Sequence, residues 1–271
     1  MFLTRKLGTL LIVLFLFLSA CSEYNKVLKS SDLEWKYAKA MEYYENGKYF
    51  KAYPLLEELV TYYRGTSKAE DIYYVYAYTD YKLEDYLLAS HRFKQFVKTF
   101  PRSSKAQECR YMSAYCAYLM SPNYSLDQDP TYDAIDKLQL FINEYPQSKR
   151  ADTCTRHIEE LQEKLEYKFY MGAKQYFKME DYKAAYTTFE NLLKKYPGSK
   201  YTEEAYFTIY NAHYQLAMKS VKSKQEDRAE KATKAYVKYV DRYPKGKYVG
   251  KAEKMYDDLL ELKKSFNIVN N

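Results

Sequence analysis

An aromatic residue followed by proline and then by small or basic residues recurs along this chain. The copies are Phe100-Pro101-Arg102-Ser103, Tyr145-Pro146-Gln147-Ser148, Tyr196-Pro197-Gly198-Ser199 and Tyr243-Pro244-Lys245-Gly246. A degenerate copy without proline, Tyr63-Arg64-Gly65-Thr66, precedes them, so the aromatics lie 37, 45, 51 and 47 residues apart. Proline disfavours a helical residue before it and cannot donate to a helical ladder, so each full copy ends a helix. Punctuation at this period builds stacked helical hairpins, each burying its apolar face against the next. A second phrase falls inside the units, an aromatic three residues before an alanine: Tyr49-x-x-Ala52, Tyr86-x-x-Ala89 and Tyr182-x-x-Ala185. Ala134 and Ala232 are expected to open the corresponding helices of units three and five. Large residues follow each alanine at helical spacing: Leu56 and Leu59, Phe93 and Phe96, Leu138 and Phe141, Phe189 and Leu192, Tyr236 and Tyr239. The alanine lets two helices approach, and the larger side chains fill the groove.

Composition agrees with a helical chain: seven glycines and seven prolines in 271 residues, and 35 tyrosines, a residue that buries a ring while its hydroxyl stays wet. Ser31-x-x-Glu34, Ser67-x-x-Glu70 and Ser104-x-x-Gln107 read as helix starts, and Asp129-Pro130 as a cap before a proline. No proline falls between Arg150 and Glu180, and apolar residues step through Ile158, Leu161, Leu165, Phe169, Ala173 and Phe177. This predicts one helix of about 30 residues, roughly 45 Å long, with Gly172 as a kink or a close contact. The pattern resembles the tetratricopeptide repeat over about residues 34 to 262. It implies an all-α fold, a right-handed superhelical array of about five helical hairpins with an over-long helix joining repeats three and four. Repeats three and five are looser, with expanded loops expected at Ser121–Thr131 and Ser220–Arg228.

The N-terminus carries an export signal. Arg5 and Lys6 precede nine apolar residues, Leu10 to Leu18, and then Ser19, Ala20 and Cys21. The apolar run is too short for a spanning helix, and the ending resembles a lipobox, which would make Cys21 the lipidated first residue of the mature chain. The expected organisation is a lipoprotein signal peptide at 1–20, a lipidated tether at 21–31, repeats one to three at 32–148, the long helix with repeats four and five at 149–266, and a disordered tail at 267–271. Without Arg5 and Lys6 the basic count falls from 43 to 41 against 36 acids, a net charge of +5. The densest charge, Lys219 to Lys238, alternates in sign and reads as a solvated helix surface, so no nucleic-acid partner is expected.

Aligning the first two repeats by their turns places Tyr37, Met41, Tyr44, Tyr74, Tyr78 and Tyr81 at positions facing the concave side of an array. Such a channel suits an extended peptide with alternating aromatic side chains, and Lys82 and Arg110 would attract a terminal carboxylate. Each of these tyrosines reads equally as a packing residue between helices. Cys109, Cys116 and Cys154 read as small buried residues rather than as one disulfide plus a thiol. Enzyme chemistry finds no footing: His91, His157 and His213 are isolated, and His157-Ile158-Glu159-Glu160 reads as helix surface. Asp127-x-Asp129 lacks the glycine turn and distal glutamate of a calcium loop. No catalytic residue, metal or cofactor is expected.

Several features occur together in order: the lipobox, five repeats, the over-long helix, Asp127-Gln128-Asp129-Pro130, Asn143-Glu144-Tyr145-Pro146-Gln147-Ser148, and Leu161-x-x-Lys164-Leu165-x-x-Lys168-x-Tyr170-x-x-Ala173-x-x-Tyr176-Phe177. In this order they resemble the BamD family, the lipoproteins of the outer-membrane β-barrel assembly machine. The resemblance implies a scaffold and receptor on the periplasmic face of the outer membrane, held by acyl chains such as palmitate. Its implied partners are the periplasmic domains of a BamA-type barrel subunit, assigned to the C-terminal repeats, and unfolded barrel proteins, assigned to the N-terminal ones. Where proteobacterial members carry a basic residue in the second helix of repeat four, this chain has Thr188. The alternatives are a glycan-binding or a cell-wall-coordinating repeat lipoprotein; Trp35 is the one tryptophan that could serve as a sugar platform. Cys21→Ala is expected to leave the helices folded by circular dichroism and to move the chain from the membrane to the soluble fraction unless a partner retains it. A variant that does not fold contradicts this reading.

Overall fold

The computed structural model describes residues 23–269, with side chains as far as Ser265. The signal segment 1–20 and Cys21 lie outside the described residues. Among the described residues, turns connect helices and no strand occurs. The main helices are α1 (Leu33–Glu45), α2 (Tyr49–Tyr62), α3 (Ala69–Lys82), α4 (Tyr86–Thr99), α5 (Ala106–Leu119), α6 (Asp129–Glu144), α7 (Ala151–Lys178), α8 (Tyr182–Lys195), α9 (Thr202–Met218), α10 (Lys222–Arg242) and α11 (Val249–Val269). The fold is all-α and consists of helical hairpins, with α7 as the expected over-long helix at 28 residues. The chain divides into two compact units, one of residues up to 123 plus 127–159, the other of 124–126 plus 160 onward. The division falls inside α7, eleven residues past the expected boundary at 148, because Cys154 and Ile158 are buried with the first unit. In the second unit, Lys168 Nζ donates to the carbonyls of Tyr124 at 3.1 Å and Leu126 at 2.6 Å.

Close approach at the alanines organises both units. Ala52, Ala89, Ala134, Ala185 and Ala232 are fully buried, as are Leu56, Leu59, Phe93, Phe96, Leu138, Phe141, Phe189, Leu192 and Tyr239. Tyr236 is half-buried and stacks on Tyr256 at 4.2 Å. Ala232 lies ten residues into α10 rather than opening it. The expected loop at Ser220–Arg228 is helical from Lys222, since that stretch is rich in helix formers and holds neither glycine nor proline. Lys231–Asp227 and Lys234–Glu230 pairs along its exposed face support it.

The helix starts differ from expectation. Asp32, not Ser31, caps α1 by accepting from Trp35 N at 3.0 Å. Lys68 and Lys105, not Ser67 and Ser104, stand at the starts of α3 and α5, and no side-chain cap hydrogen bond closes either helix. Asp129 is itself helical, and Pro130 falls in the first turn behind Gln128. The side-chain caps of α4 and α8 are Asp85 and Asp181. The preceding residues hold a left-handed conformation at Gly47 (φ 70°), Glu84 (φ 63°) and Glu180 (φ 61°), the same step of three hairpin turns.

Two expected segments differ as well. Residues 23–29 of the tether form a helical segment docked on repeat one: Val27 is fully buried, Glu23 pairs with Lys39 at 2.8 Å and Tyr24 meets Tyr43 edge-on at 5.8 Å. An apolar valine and a ring give this segment a surface to bury, which a free tether lacks. At the other end α11 runs to Val269, into the stretch read as a tail, because nothing after Gly250 stops a helix. A Cβ at Gly172 would meet nothing within 4 Å, so no close packing contact explains that glycine.

The turn phrase has a physical basis. In every copy its fourth residue donates its N–H to the carbonyl of the leading aromatic. Ser103 Oγ accepts from Lys105 N at 3.0 Å and donates to Glu70 at 2.6 Å, and Ser199 Oγ does the same with Tyr201 N and Glu166. The last copy has Gly246 in the serine's place, and the Tyr239 hydroxyl takes over. It accepts from Tyr248 N at 3.2 Å and donates to Glu203 at 3.3 Å. A Cβ on Gly246 would stand 2.9 Å from that hydroxyl and 2.5 Å from Glu203 Oε1. Gly246→Ser alone is therefore expected to cost about 1–3 kcal/mol of unfolding free energy. With Tyr239→Phe added, the serine can make both bonds, and a urea-unfolding double-mutant cycle is expected to show the two changes costing less together than their sum.

Between α2, α3 and α4 lies a buried ion pair. Asp80 is 1% exposed and accepts from Arg92 Nε, while Arg92 Nη2 donates to the Tyr76 hydroxyl at 2.8 Å. The guanidinium also lies 3.8 Å over the Tyr76 ring, and Asp80 Oδ1 has no hydrogen-bond partner. Burial raises the Asp80 pKa from 3.8 to about 6, opposed by Arg92. Because the folded value exceeds the unfolded one, this carboxyl favours folding most at low pH, and that contribution is lost as pH rises through about 6. Arg92→Ala leaves the carboxylate without its cation, at an expected cost of about 3–5 kcal/mol near neutrality. The gap from the native chain is expected to be wider at pH 8 than at pH 5 in urea unfolding.

Candidate functional site

The first helix of each hairpin in the first unit carries side chains at positions 0, +4 and +7 of one face, and the set repeats every 37 residues. Tyr37, Met41 and Tyr44 stand on α1, Tyr74, Tyr78 and Tyr81 on α3, and Tyr111, Tyr115 and Tyr118 on α5. Tyr111 is buried and the other eight are half-buried. Each packs against neighbouring side chains, and the eight half-buried ones keep part of their surface in solvent.

Each leading tyrosine is clamped by the repeat that follows. Lys68 Nζ stands 4.8 Å over the Tyr37 ring and pairs with Glu34. Lys105 stands 4.9 Å over Tyr74 and pairs with Asp71. Arg150 lies 4.2 Å over Tyr111 and pairs with Glu108 at 3.1 Å. In the second unit the equivalent positions hold ring on ring: Tyr201 on Tyr170 at 4.0 Å and Tyr248 on Phe207 at 4.7 Å. A cation over a ring and two stacked rings both join successive hairpins through an aromatic face.

The remaining rings connect. Tyr74 meets Tyr78 at 4.8 Å, Tyr78 meets Tyr81 at 6.3 Å, Tyr81 meets Tyr115 at 6.4 Å and Tyr115 meets Tyr118 at 5.9 Å. His157 of α7 stacks on Tyr118 at 4.0 Å. The histidine read as helix surface is thus half-buried at the end of an aromatic ladder, because the first turns of α7 face α5. In repeat one, Tyr37 meets Tyr63, just past the end of α2, and Tyr44 meets Tyr49 at its start. Burial raises the pKa of Tyr81 and, most strongly, of Tyr78, whose hydroxyl donates to Glu108 at 3.0 Å. Burial, with Tyr49 and Tyr74 nearby, pushes Tyr44 to about 12. At neutral pH these are uncharged hydroxyl donors.

The two expected cations part company. Lys82 is exposed, with its ammonium 5.8 Å from the centre of the Tyr81 ring. Arg110 makes a bidentate pair with Glu144 of α6, at 2.6 and 2.9 Å, and is committed to packing α5 on α6. Tyr111, Tyr115 and Tyr118 were legible in the sequence as the 37-residue echo of Tyr74, Tyr78 and Tyr81. His157 carried no such signal, since repeat three is followed by a different interval.

Cys109, Cys116 and Cys154 are free and buried, and burial pushes their thiols to about 12, 12 and 11. Asp127 Oδ2 accepts from Asp129 N at 3.2 Å, as in a capped loop. Among the described residues no group of three or more His, Cys, Asp or Glu is placed to hold a metal ion. No described helix is long and apolar enough to cross a membrane. Trp35 packs half-buried against the first core rather than standing as a platform. Thr188 Oγ1 bonds back to the Ala184 carbonyl at 2.7 Å.

Rings and hydroxyls at fixed spacing, with ion pairs holding them, define a helical-repeat protein. Residues 30–228 match the family described as YfiO, outer membrane lipoprotein, and the chain belongs to that family. Two relatives carry the name outer membrane protein assembly factor BamD. The one from Caulobacter vibrioides is 23% identical over 141 residues, 52% of this chain and 46% of that protein; the one from Rickettsia prowazekii is 23% identical over 183 residues, 68% of each. The chain thus spans just under half of the first relative and about two thirds of the second. A similar solved structure is the P58(IPK) TPR domain, with a TM-score of 0.41, 15% identity, and coverage of 88% of this chain and 60% of that one.

Proposed function

We propose that this chain is a scaffold of β-barrel assembly, lipidated at Cys21 and held on the periplasmic face of the outer membrane. Its aromatic face on α1, α3 and α5 receives extended segments of unfolded barrel proteins, and its second unit binds the periplasmic domains of a BamA-type subunit. Family membership and the relatives' assembly-factor names support the setting. The observation that carries the substrate reading is the ladder from Tyr74 to His157, whose rings stay partly wet. Barrel strands alternate aromatic and polar side chains, so an extended segment can lay its rings on this ladder while hydroxyls meet its backbone. Lys82 stands beside Tyr81 to meet a terminal carboxylate. For the partner, the second unit offers an open cavity of about 470 Å³ among α8, α9 and α10. Leu193, Ile209 and Ala235 line it with Lys194, Lys231, Lys234 and Lys238.

The test is fluorescence anisotropy with a labelled peptide that copies the last strand of a barrel protein and ends in an aromatic residue. Tyr81→Ala and Tyr115→Ala are each expected to weaken binding about tenfold, the effect of losing a central aromatic contact. Arg110→Ala is expected to lower thermal stability and leave the affinity in place. Unchanged affinity in both tyrosine variants overturns the substrate reading. Mild-detergent purification from membranes is expected to bring down a barrel subunit, and its absence overturns the partner reading.

A further inference from the structure

The most exposed apolar side chains in the second helices of the first unit's first two hairpins stand at one end. Phe50 is 84% exposed, Leu87 68% and Leu88 38%, and all three lie in the first turn of a second helix, immediately after the hairpin turns at 46–48 and 83–85. Tyr132, 43% exposed, holds the same place in α6. Three-residue turns make successive helices antiparallel, so α1 and α3 run the same way and both turns lie at the same end of the unit. A ring pair flanks each turn: Tyr44 with Tyr49 at 5.6 Å and Tyr81 with Tyr86 at 5.9 Å. The opposite end carries the proline loops, where Arg64, Arg102, Ser104, Gln147 and Lys149 are exposed, with Tyr62 as an exposed ring among them.

A second observation says what covers the apolar end. The helical segment 23–29 docks beside the first of these turns: Tyr24 lies against Tyr43, Lys51 stands 5.4 Å over the Tyr24 ring, and Lys48 acts electrostatically on Glu23. Glu23, the first described residue, therefore stands toward the Phe50 end of the unit. Cys21 is two residues earlier, no more than about 7 Å of extended chain away. We infer that this end of the first unit rests on the lipid bilayer, with Phe50, Leu87 and Leu88 in the interface beside the acyl chains of Cys21. The inference rests on the lipid-anchor reading above and adds an orientation to it. Tyrosines at the level of the head groups and aliphatic side chains just below them are the make-up of an interfacial contact. Exposed Lys48 reaches the head groups, while Glu45 and Glu84 stay in water at the same edge. Docked segment 23–29 leaves little slack, so the anchor sets which end faces the membrane.

The test uses the full acylated chain purified from membranes and reconstituted in phosphatidylethanolamine–phosphatidylglycerol vesicles. F50C and L87C, and R102C on the opposite end, each carry an environment-sensitive fluorophore; the native thiols in the described residues are buried and leave labelling specific. Labels at 50 and 87 are expected to shift to shorter emission wavelength and to be quenched by nitroxide-bearing lipids, while the label at 102 shows neither. If the chain floats with the vesicles but all three labels are equally wet, the orientation is overturned and the anchor stands. If the labels at 50 and 87 leave water only when a barrel subunit is added, that edge is a protein interface and the inference is overturned. If the acylated chain does not float with vesicles at all, both the anchor and the orientation fall.

Discussion

Close approach of paired helices at a buried alanine is the constraint on which both units depend. Ala52, Ala89, Ala134, Ala185 and Ala232 are fully buried methyl groups, a size that lets one helix come close to its neighbour. Ridges can then interlock, and Leu, Phe or Tyr side chains one and two turns on reach the groove they fill. A larger residue at these points would hold the helices apart and open voids around every side chain downstream. The 37-residue register of the aromatic face follows from this contact, because evenly packed hairpins present equivalent positions of their first helices at equal steps.

Between hairpins the chain solves one problem in several chemical ways. A helix must end, turn and restart while its orphan backbone groups find partners. Ser103 and Ser199 do this with a hydroxyl bonded to a backbone N–H and to a glutamate of the hairpin before; at Gly246 the Tyr239 hydroxyl does it from a distance in sequence. The clamp on the leading aromatic varies likewise, from Lys68, Lys105 and Arg150 over rings to Tyr201 and Tyr248 stacked on rings. Geometry is kept while chemistry changes, so the repeats differ in charge and share shape. The first unit holds its face with ion pairs and leaves neutral hydroxyls and ring edges wet. A surface of that kind suits an extended segment of varied sequence.

Much of this was legible. Proline after an aromatic, alanine at a helical step from larger residues, and a long stretch without proline located the hairpins and α7 from local rules alone. Six of the nine positions on the aromatic face followed from aligning two turns. What local rules missed has identifiable causes. The serines at Ser67 and Ser104 match a capping box in letters, but α3 and α5 start one residue later, after Lys68 and Lys105, without a side-chain cap. Residues 220–228 looked like an insertion because the turn phrase was absent, although the stretch from Lys222 is rich in helix formers and holds neither glycine nor proline. Arg110 looked like an available cation; its partner, Glu144, lies on another helix.

The sequence by itself determined the hairpins, their order and the family to which they belong, because these depend on which residues end helices and on spacing along one chain. Tertiary structure alone decided which polar and aromatic side chains are engaged. Glu144 takes Arg110 out of the candidate face, His157 joins the ladder from α7, and the Tyr239 hydroxyl stands in for a missing serine. Residues 23–29 fold onto repeat one, where a free tether was expected. Each of these partnerships joins residues of different helices or turns, up to 39 positions apart between Tyr118 and His157. Such distances close only when the helices pack, and no local pattern encodes them.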